Sequence, residues 1–540
     1  MNSGLVKILL TIGGALALLV GGMLLEVSKT PVRSSSSNND NNNSSNNLRQ
    51  LNNNNNNDYS GNDGPLPPVL PIFAPVPDAQ KWMQSTLAGK PTLAGIAALL
   101  QHYIHELHML NQKLAAERAN ASIIVERIFK LTSDILGQFD AAYRGRPIFP
   151  IREEEETIFL SLAAFREHLL ADTLVYAFKN AAQPSKLFVG AIVQNCFGRV
   201  GPDGITVDSS GLPCRTGIEV VGTNEQGKPK TKVSDAPPDK NGIAEFCAMP
   251  DYKKYCENGQ IRVIYVHETE SLGPAMARYH ASKLWAGETY FMQCDSHLMF
   301  AEHWDDKYRA ELQATRNYPK SILSSYPPGF DAVTDGKVKE SNGARLCVCM
   351  TRDLDPNPII RINTGTGYHG NEPRPTEIPF IAAGFFFAHA SFLVDVPFDP
   401  YMPWLFMGEE IALSMRAWTH GWNVYAPRKN LIAHQYRPGR MGLPKYWESV
   451  NRLYRGAADN NKFQRPVIKR VKNMVGYPDS TLEKIKEEGI ELVLKDIEYY
   501  GLGQERTWQE YMDYANMHVD QEKDIIRCTN NKWCNSGLKD

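Results

Sequence analysis

An open α/β sheet with mostly parallel strands is the fold class this sequence predicts, and three observations predict it. Four stretches, "TIFLSLAAF" from Thr157, "KLFVGAIVQ" from Lys186, "QIRVIYVH" from Gln260 and "TYFMQCDS" from Thr289, are apolar on nearly every residue. Strands covered on both faces have that pattern. Between the last two, Gly273 to Glu288 carries Ala275, Tyr279, Ser282 and Trp285 or Ala286 at helical spacing, so strand, helix and strand follow one another. The fourth stretch stops on Asp295-Ser296-His297, polar groups at a carboxyl strand end, where open α/β sheets place their ligands.

In chain order, the first element is Ile8 to Leu25, eighteen uncharged residues. As a helix they reach about 27 Å, enough for a thin hydrocarbon layer, so one membrane span is expected, with a cleaved secretory signal as the rival. A short cytoplasmic tail (1–7), a signal anchor (8–25) and a lumenal body are the simplest arrangement, because no second comparable run follows. Residues 26–80 are rich in Asn, Ser and then Pro, which cannot bury enough apolar area to offset chain entropy, and are expected to form a disordered stem.

Residues 81–145 read as a helical continuation of that stem. Leu100, Tyr103, Leu107, Leu110 and Leu114, then Ala121, Ile124, Ile128, Leu131 and Ile135, recur at alternating threes and fours, with a break at Glu117. This is a heptad seam, which serves either a coiled-coil homodimer or a helix pair packed on the body. Asn42, Asn43 and Asn120 fit the N-glycosylation acceptor pattern, which matters only in a lumen. The net charge of −2 over 540 residues, without a Lys/Arg block, excludes nucleic acid as an expected partner.

Asp295 and His297 stand two apart at the strand end. Oxygen plus imidazole donors suit Mn²⁺ and related ions, with a third ligand from elsewhere; the alternative is Asp295 capping a helix and His297 satisfied by backbone. Downstream, Glu409 and Glu410 open an amphipathic helix that stops at "THGW", and an apolar stretch then ends at His434.

These blocks resemble GT-A glycosyltransferases that modify polypeptides. The Gly-Glu segment, Ser414, Arg416 and Trp418 at S-x-R-x-W spacing, and His434 carry that likeness. The mucin-type N-acetylgalactosaminyltransferases have Asn where Glu410 stands. The sequence is more similar to polypeptide N-acetylglucosaminyltransferases, through "GPAMARYHASKLWAGETYFMQCDSHLMFAEHWDD", "YPPGF", the segment from Ile381 to Pro427 and "GLGQERTWQEYMDYA". In the first strand "AAFREH" replaces the family's usual Ser-Tyr-Arg-Asp.

The resemblance implies a GT-A catalytic domain over 156–460 with a mixed, mostly parallel, Rossmann-like sheet, followed by a helical extension over 461–540. It implies Mn²⁺ or another divalent ion on Asp295, His297 and His434, and donor-nucleotide contacts from Arg166, Arg278 and Asp295. Asp295, Glu409 and Glu410 are the implied catalytic groups, and Trp404, Phe406 and Trp422 are stacking candidates. The implied activity is retaining transfer of N-acetylglucosamine from UDP-GlcNAc to Ser/Thr of secretory proteins in the Golgi. Alternatives are a hydroxyproline acceptor in the cytosol, a UDP-GalNAc donor, or an inactive lectin-like protein. The nine cysteines permit pairs in an oxidising lumen, with Cys528–Cys534 expected first and Cys247–Cys256 next, and Cys294 reads as a core thiol.

Overall fold

A computed structural model describes residues 79–197, 214–223, 225, 229–235, 238–353, 355, 357–367, 372–436, 443–454, 460–528 and 532–534. The expected membrane span at Ile8 to Leu25, the stem up to residue 78 and the sequons at Asn42 and Asn43 lie outside them. Among the described residues no helix is long and apolar enough to cross a membrane.

Numbering only the strands of the central sheet, these are β1 (Ile158–Phe165), β2 (Leu187–Asn195), β3 (Ile261–His267), β4 (Tyr290–Asp295), β5 (Ser321–Ser324), β6 (Thr376–Ile378), β7 (Phe385–His389) and β8 (Asn423–Ala426). Their order is β6-β8-β5-β7-β4-β1-β2-β3. The four apolar stretches form the parallel half, with Ile158 opposite both Leu187 and Tyr290. Strand β7 runs antiparallel between β4 and β5, and β6 antiparallel to β8, so the sheet is mixed and mostly parallel, as expected.

Both faces of that half are covered, which is why its strands lack polar alternation. Ile158, Leu160, Leu162 and Ala164 join one apolar cluster with Leu174 and Phe178 of helix Leu170–Asn180 and Trp304 and Tyr308 of helix Trp304–Gln313. Phe159, Ile192, Ile264 and Phe291 join the other, with Met276 and Tyr279 of helix Pro274–Ser282.

The second cluster also takes in the heptad seam. Leu100, Tyr103, Leu107, Ile124 and Ile128 are buried in it, on helices Leu93–Ala116 and Ala121–Thr132. The break at Glu117 is a turn in which Arg118 adopts φ 52° and Asn120 caps the second helix through Ile123 N–H. Such a cap contributes about 1 kcal/mol. Of the two readings left open by the seam, the described residues show the helix pair packed on the body: seven-residue spacing does not distinguish an intrachain partner from a second copy.

Residues expected to form an extension behave likewise. Helix Asn460–Val475 buries Phe463, Val467, Val471 and Val475 in the same cluster, and Arg470 Nε lies 2.6 Å from Asp399 Oδ2. Disulfides join Cys196–Cys214, Cys247–Cys256, Cys347–Cys534 and Cys349–Cys528, leaving Cys294 free and buried. The expected Cys528–Cys534 bridge is thus corrected. Cys347 and Cys349, two apart on strand Ala344–Met350, offer both thiols on one side. Gly365 leaves the room, since a Cβ there would stand 2.3 Å from Cys347 Sγ.

Candidate active site

Asp295 is the last residue of β4, and its N–H donates to Gly384 O at 3.1 Å. Beyond it the chain turns, held by Thr173, whose hydroxyl donates to Ser296 O and accepts from Leu298 N–H, both at 3.0 Å. The chain then enters strand Leu298–Phe300, antiparallel to Ile432–His434, with His434 opposite Leu298. Gln435 N–H donates to His297 O at 3.1 Å and His434 N–H to Pro328 O at 2.9 Å. A short ladder thus carries His434 across 139 residues to the Asp-x-His turn, its Nε2 3.0 Å from Asp295 Oδ2.

One ligand-type atom from each of Asp295, His297 and His434 lies within 4.8 Å of the others, and the two imidazole centroids are 4.7 Å apart. Two features fit a divalent cation here. His434 Nδ1 is buried without a hydrogen-bond partner, and His297 Nδ1 lies 2.9 Å from Glu167 Oε2, so its proton is placed there and Nε2 keeps its lone pair. Burial pushes His297 below the ordinary imidazole value against the pull of Asp295, keeping it in the neutral, ligating form. Burial would raise the Asp295 carboxyl, but the His434 hydrogen bond and the Arg278 guanidinium hold it well below the usual carboxylate range. His434 brings a third donor-type side chain to the cluster, and one carboxylate with two imidazoles is a donor set that suits Mn²⁺-like ions.

Behind this cluster, Arg278 Nη2 is 3.2 Å from Asp295 Oδ1 while Nη1 pairs with Glu409. Glu409 and Glu410 open helix Glu409–Thr419, where negative charge meets the positive end of the helix dipole. Gly408 precedes them at φ 96°, a conformation that suits glycine, and a Cβ there would also stand 2.6 Å from Ile359 Cδ1. Glu410 accepts from Tyr326 Oη (2.7 Å) and Ala383 N–H (3.0 Å), yet burial still pushes its carboxyl up from the ordinary value. Segment Gly501–Ala515 braces the helix end: Gly503 N–H donates to Thr419 Oγ1 at 2.8 Å and Arg506 lies over the Trp418 ring.

Asp295, His297, His434, Arg278, Glu409, Glu410 and Tyr326 line one open cleft of about 550 Å³, alongside Gly273, Arg361, Phe406 and Tyr436. A Cβ on Gly384 would stand 2.9 Å from Asp295 Oδ2, so this wall admits glycine without crowding the carboxylate.

Of the residues expected here, Asp295, His297, His434, Arg278, Glu409 and Glu410 are brought together, and Arg166 is not. Its guanidinium is buried, with Nε 2.7 Å from Asp239 Oδ2 and Nη1 3.0 Å from Glu268 Oε2, and it does not line the cleft. A charge at a strand end reads the same in sequence whether it turns to the cleft or, as here, to a buried carboxylate. Trp404 and Trp422 are core residues at 1% and 0% exposure, whereas Phe406, 44% exposed, stands at the cleft rim. Glu167, Thr173 and Tyr326 went unnoticed in sequence. Tyr326 had a signal in its place in the "YPPGF" block, and Glu167 in standing within "AAFREH" where the resembled family has Asp.

The family described as Glycosyltransferase (GlcNAc) matches residues 157–522. No curated protein matches the chain in sequence. Among solved structures the chain is similar to GalNAc-T7 with UDP, GalNAc and Mn²⁺, at 13% identity and TM-score 0.35 over 66% of this chain and 56% of that one. It is also similar to S. aureus TarS 1–349 in complex with UDP, at 11% identity and TM-score 0.29 over 70% of this chain and 97% of that one. The chain therefore spans little more than half the length of the GalNAc-T7 structure.

Proposed function

Because the chain belongs to the GlcNAc glycosyltransferase family, we propose that it transfers N-acetylglucosamine from UDP-GlcNAc to Ser/Thr hydroxyls of proteins, with a divalent cation such as Mn²⁺ held by Asp295, His297 and His434. The observation that carries this reading is the convergence of those three side chains beside Glu409 and Glu410 in one cleft.

In transfer, the bond between the anomeric carbon and the β-phosphate oxygen breaks and a bond to the acceptor oxygen forms, releasing UDP. The cation supplies Lewis-acid neutralisation of the diphosphate. The chain supplies the rest. Arg278, fixed between Asp295 and Glu409, holds those carboxylates in place with its positive charge. Glu409 and Glu410, at the helix start, are placed to accept hydrogen bonds from donor-sugar hydroxyls, and Tyr326 fixes Glu410. With Glu409 tied to Arg278, a covalent glycosyl-enzyme on that carboxylate is disfavoured, which agrees with a retaining reaction in which a leaving-phosphate oxygen takes the acceptor proton. The fold assigned on this reading is GT-A.

Four disulfides support an oxidising compartment, hence a lumenal body behind a Golgi signal anchor, over a cytosolic hydroxyproline acceptor. Protease protection of the body in sealed vesicles tests that arrangement. The activity is tested by mass spectrometry of a Thr-rich peptide incubated with the protein, MnCl₂ and a panel of sugar nucleotides. Addition of one N-acetylhexosamine from UDP-GlcNAc, abolished by EDTA, is expected; transfer from UDP-GalNAc alone overturns the donor, and no transfer from any sugar nucleotide overturns the enzyme.

A further inference from the structure

We infer that Glu167 is a positioning residue for the cation site, fixing the tautomer and ring plane of His297. This rests on the proposed role of Asp295, His297 and His434. Glu167 stands two residues beyond the end of β1, and its side chain is 2% exposed. Its two oxygens are divided between tasks: Oε1 accepts Leu169 N–H at 2.9 Å, at the entry to helix Leu170–Asn180, and Oε2 lies 2.9 Å from His297 Nδ1.

The chemistry of an imidazole ligand needs this arrangement. Neutral imidazole has one N–H and one lone pair, and only the lone pair binds a cation. A carboxylate on Nδ1 keeps the proton there, directs the lone pair of Nε2 outward and makes the ring more basic. Glu167 meets those conditions from the connection between β1 and helix Leu170–Asn180, and the backbone on either side of His297 is independently held. Thr173 grips the turn, and Gln435 N–H holds His297 O. The backbone thus places the residue, while the carboxylate decides which nitrogen faces Asp295 and His434.

The test is binding of Mn²⁺ alone to the purified full chain, by calorimetry and by the free-Mn²⁺ EPR signal, for the parent, Glu167→Gln, Glu167→Ala and His297→Ala. Glu167→Ala is expected to weaken Mn²⁺ about 10- to 100-fold, with Glu167→Gln between it and the parent, because an amide oxygen can still accept the Nδ1 proton without the charge. Thermal melting of each metal-free variant separates this from a packing defect: an unchanged melting temperature with weakened Mn²⁺ supports positioning. Parent-like Mn²⁺ affinity in both Glu167 variants, with His297→Ala weakened, overturns this inference and leaves the proposed function standing. A parent that binds no Mn²⁺ overturns the cation site itself.

Discussion

Two buried arginines, Arg278 and Arg166, each bridge two carboxylates, and they differ in what else those carboxylates bind. Around Arg166, Asp239 Oδ2 also accepts Cys196 N–H at 2.7 Å, and Glu268 also takes Ser449 Oγ at 2.7 Å and Arg452 Nη2 at 2.6 Å. Around Arg278, Asp295 faces two imidazoles, one with an orphaned nitrogen, and the open cleft. Ion pairing alone does not mark a functional site. Unfinished coordination facing an opening does.

The sharpest way to break this contrast is Asp295→Asn. It is expected to lower kcat for UDP-GlcNAc turnover by more than about 10⁴-fold, roughly 5 kcal/mol, with the melting temperature nearly unchanged. The mirror image is Arg166→Met, expected to cost about 4 kcal/mol of stability by stranding Asp239 and Glu268, while kcat per folded molecule stays within about threefold. Urea unfolding beside single-turnover kinetics measures both, and a fall in kcat at full stability would return Arg166 to the nucleotide site. Cys347→Ser with Cys534→Ser tests a bridge remote from the carboxylates: about 3 kcal/mol is expected to be lost in urea melts under non-reducing conditions. Phe406→Ala should change stability by less than about 0.5 kcal/mol, because its ring is exposed, yet raise the KM for peptide acceptor.

Much of the fold was legible because two-sided burial leaves a strong mark. Strands β1 to β4 match the apolar stretches within a residue or so at each end, and Asp295 stands where a sheet of this kind places ligands. His434 was legible only through resemblance, since the ladder that brings it home is three residues per strand. Glu167 left only its acidic place in "AAFREH", since its partner lies 130 residues away. The heptad seam left two readings open and the Cys528–Cys534 spacing misled for one reason: local periodicity and proximity were satisfied by partners far along the chain, which single-sequence patterns do not record.

The bridges Cys347–Cys534 and Cys349–Cys528 enclose one large covalent ring, which contains Gly384, Glu409, Glu410 and His434 and excludes Asp295 and His297. A peptide-bond cut anywhere from residue 350 to 527 would leave the two fragments tethered through sulfur, and a gel would register the nick only after reduction. Reductant would therefore loosen the frame around His434 while sparing the turn that carries its two fellow ligands, so the site should come apart in halves.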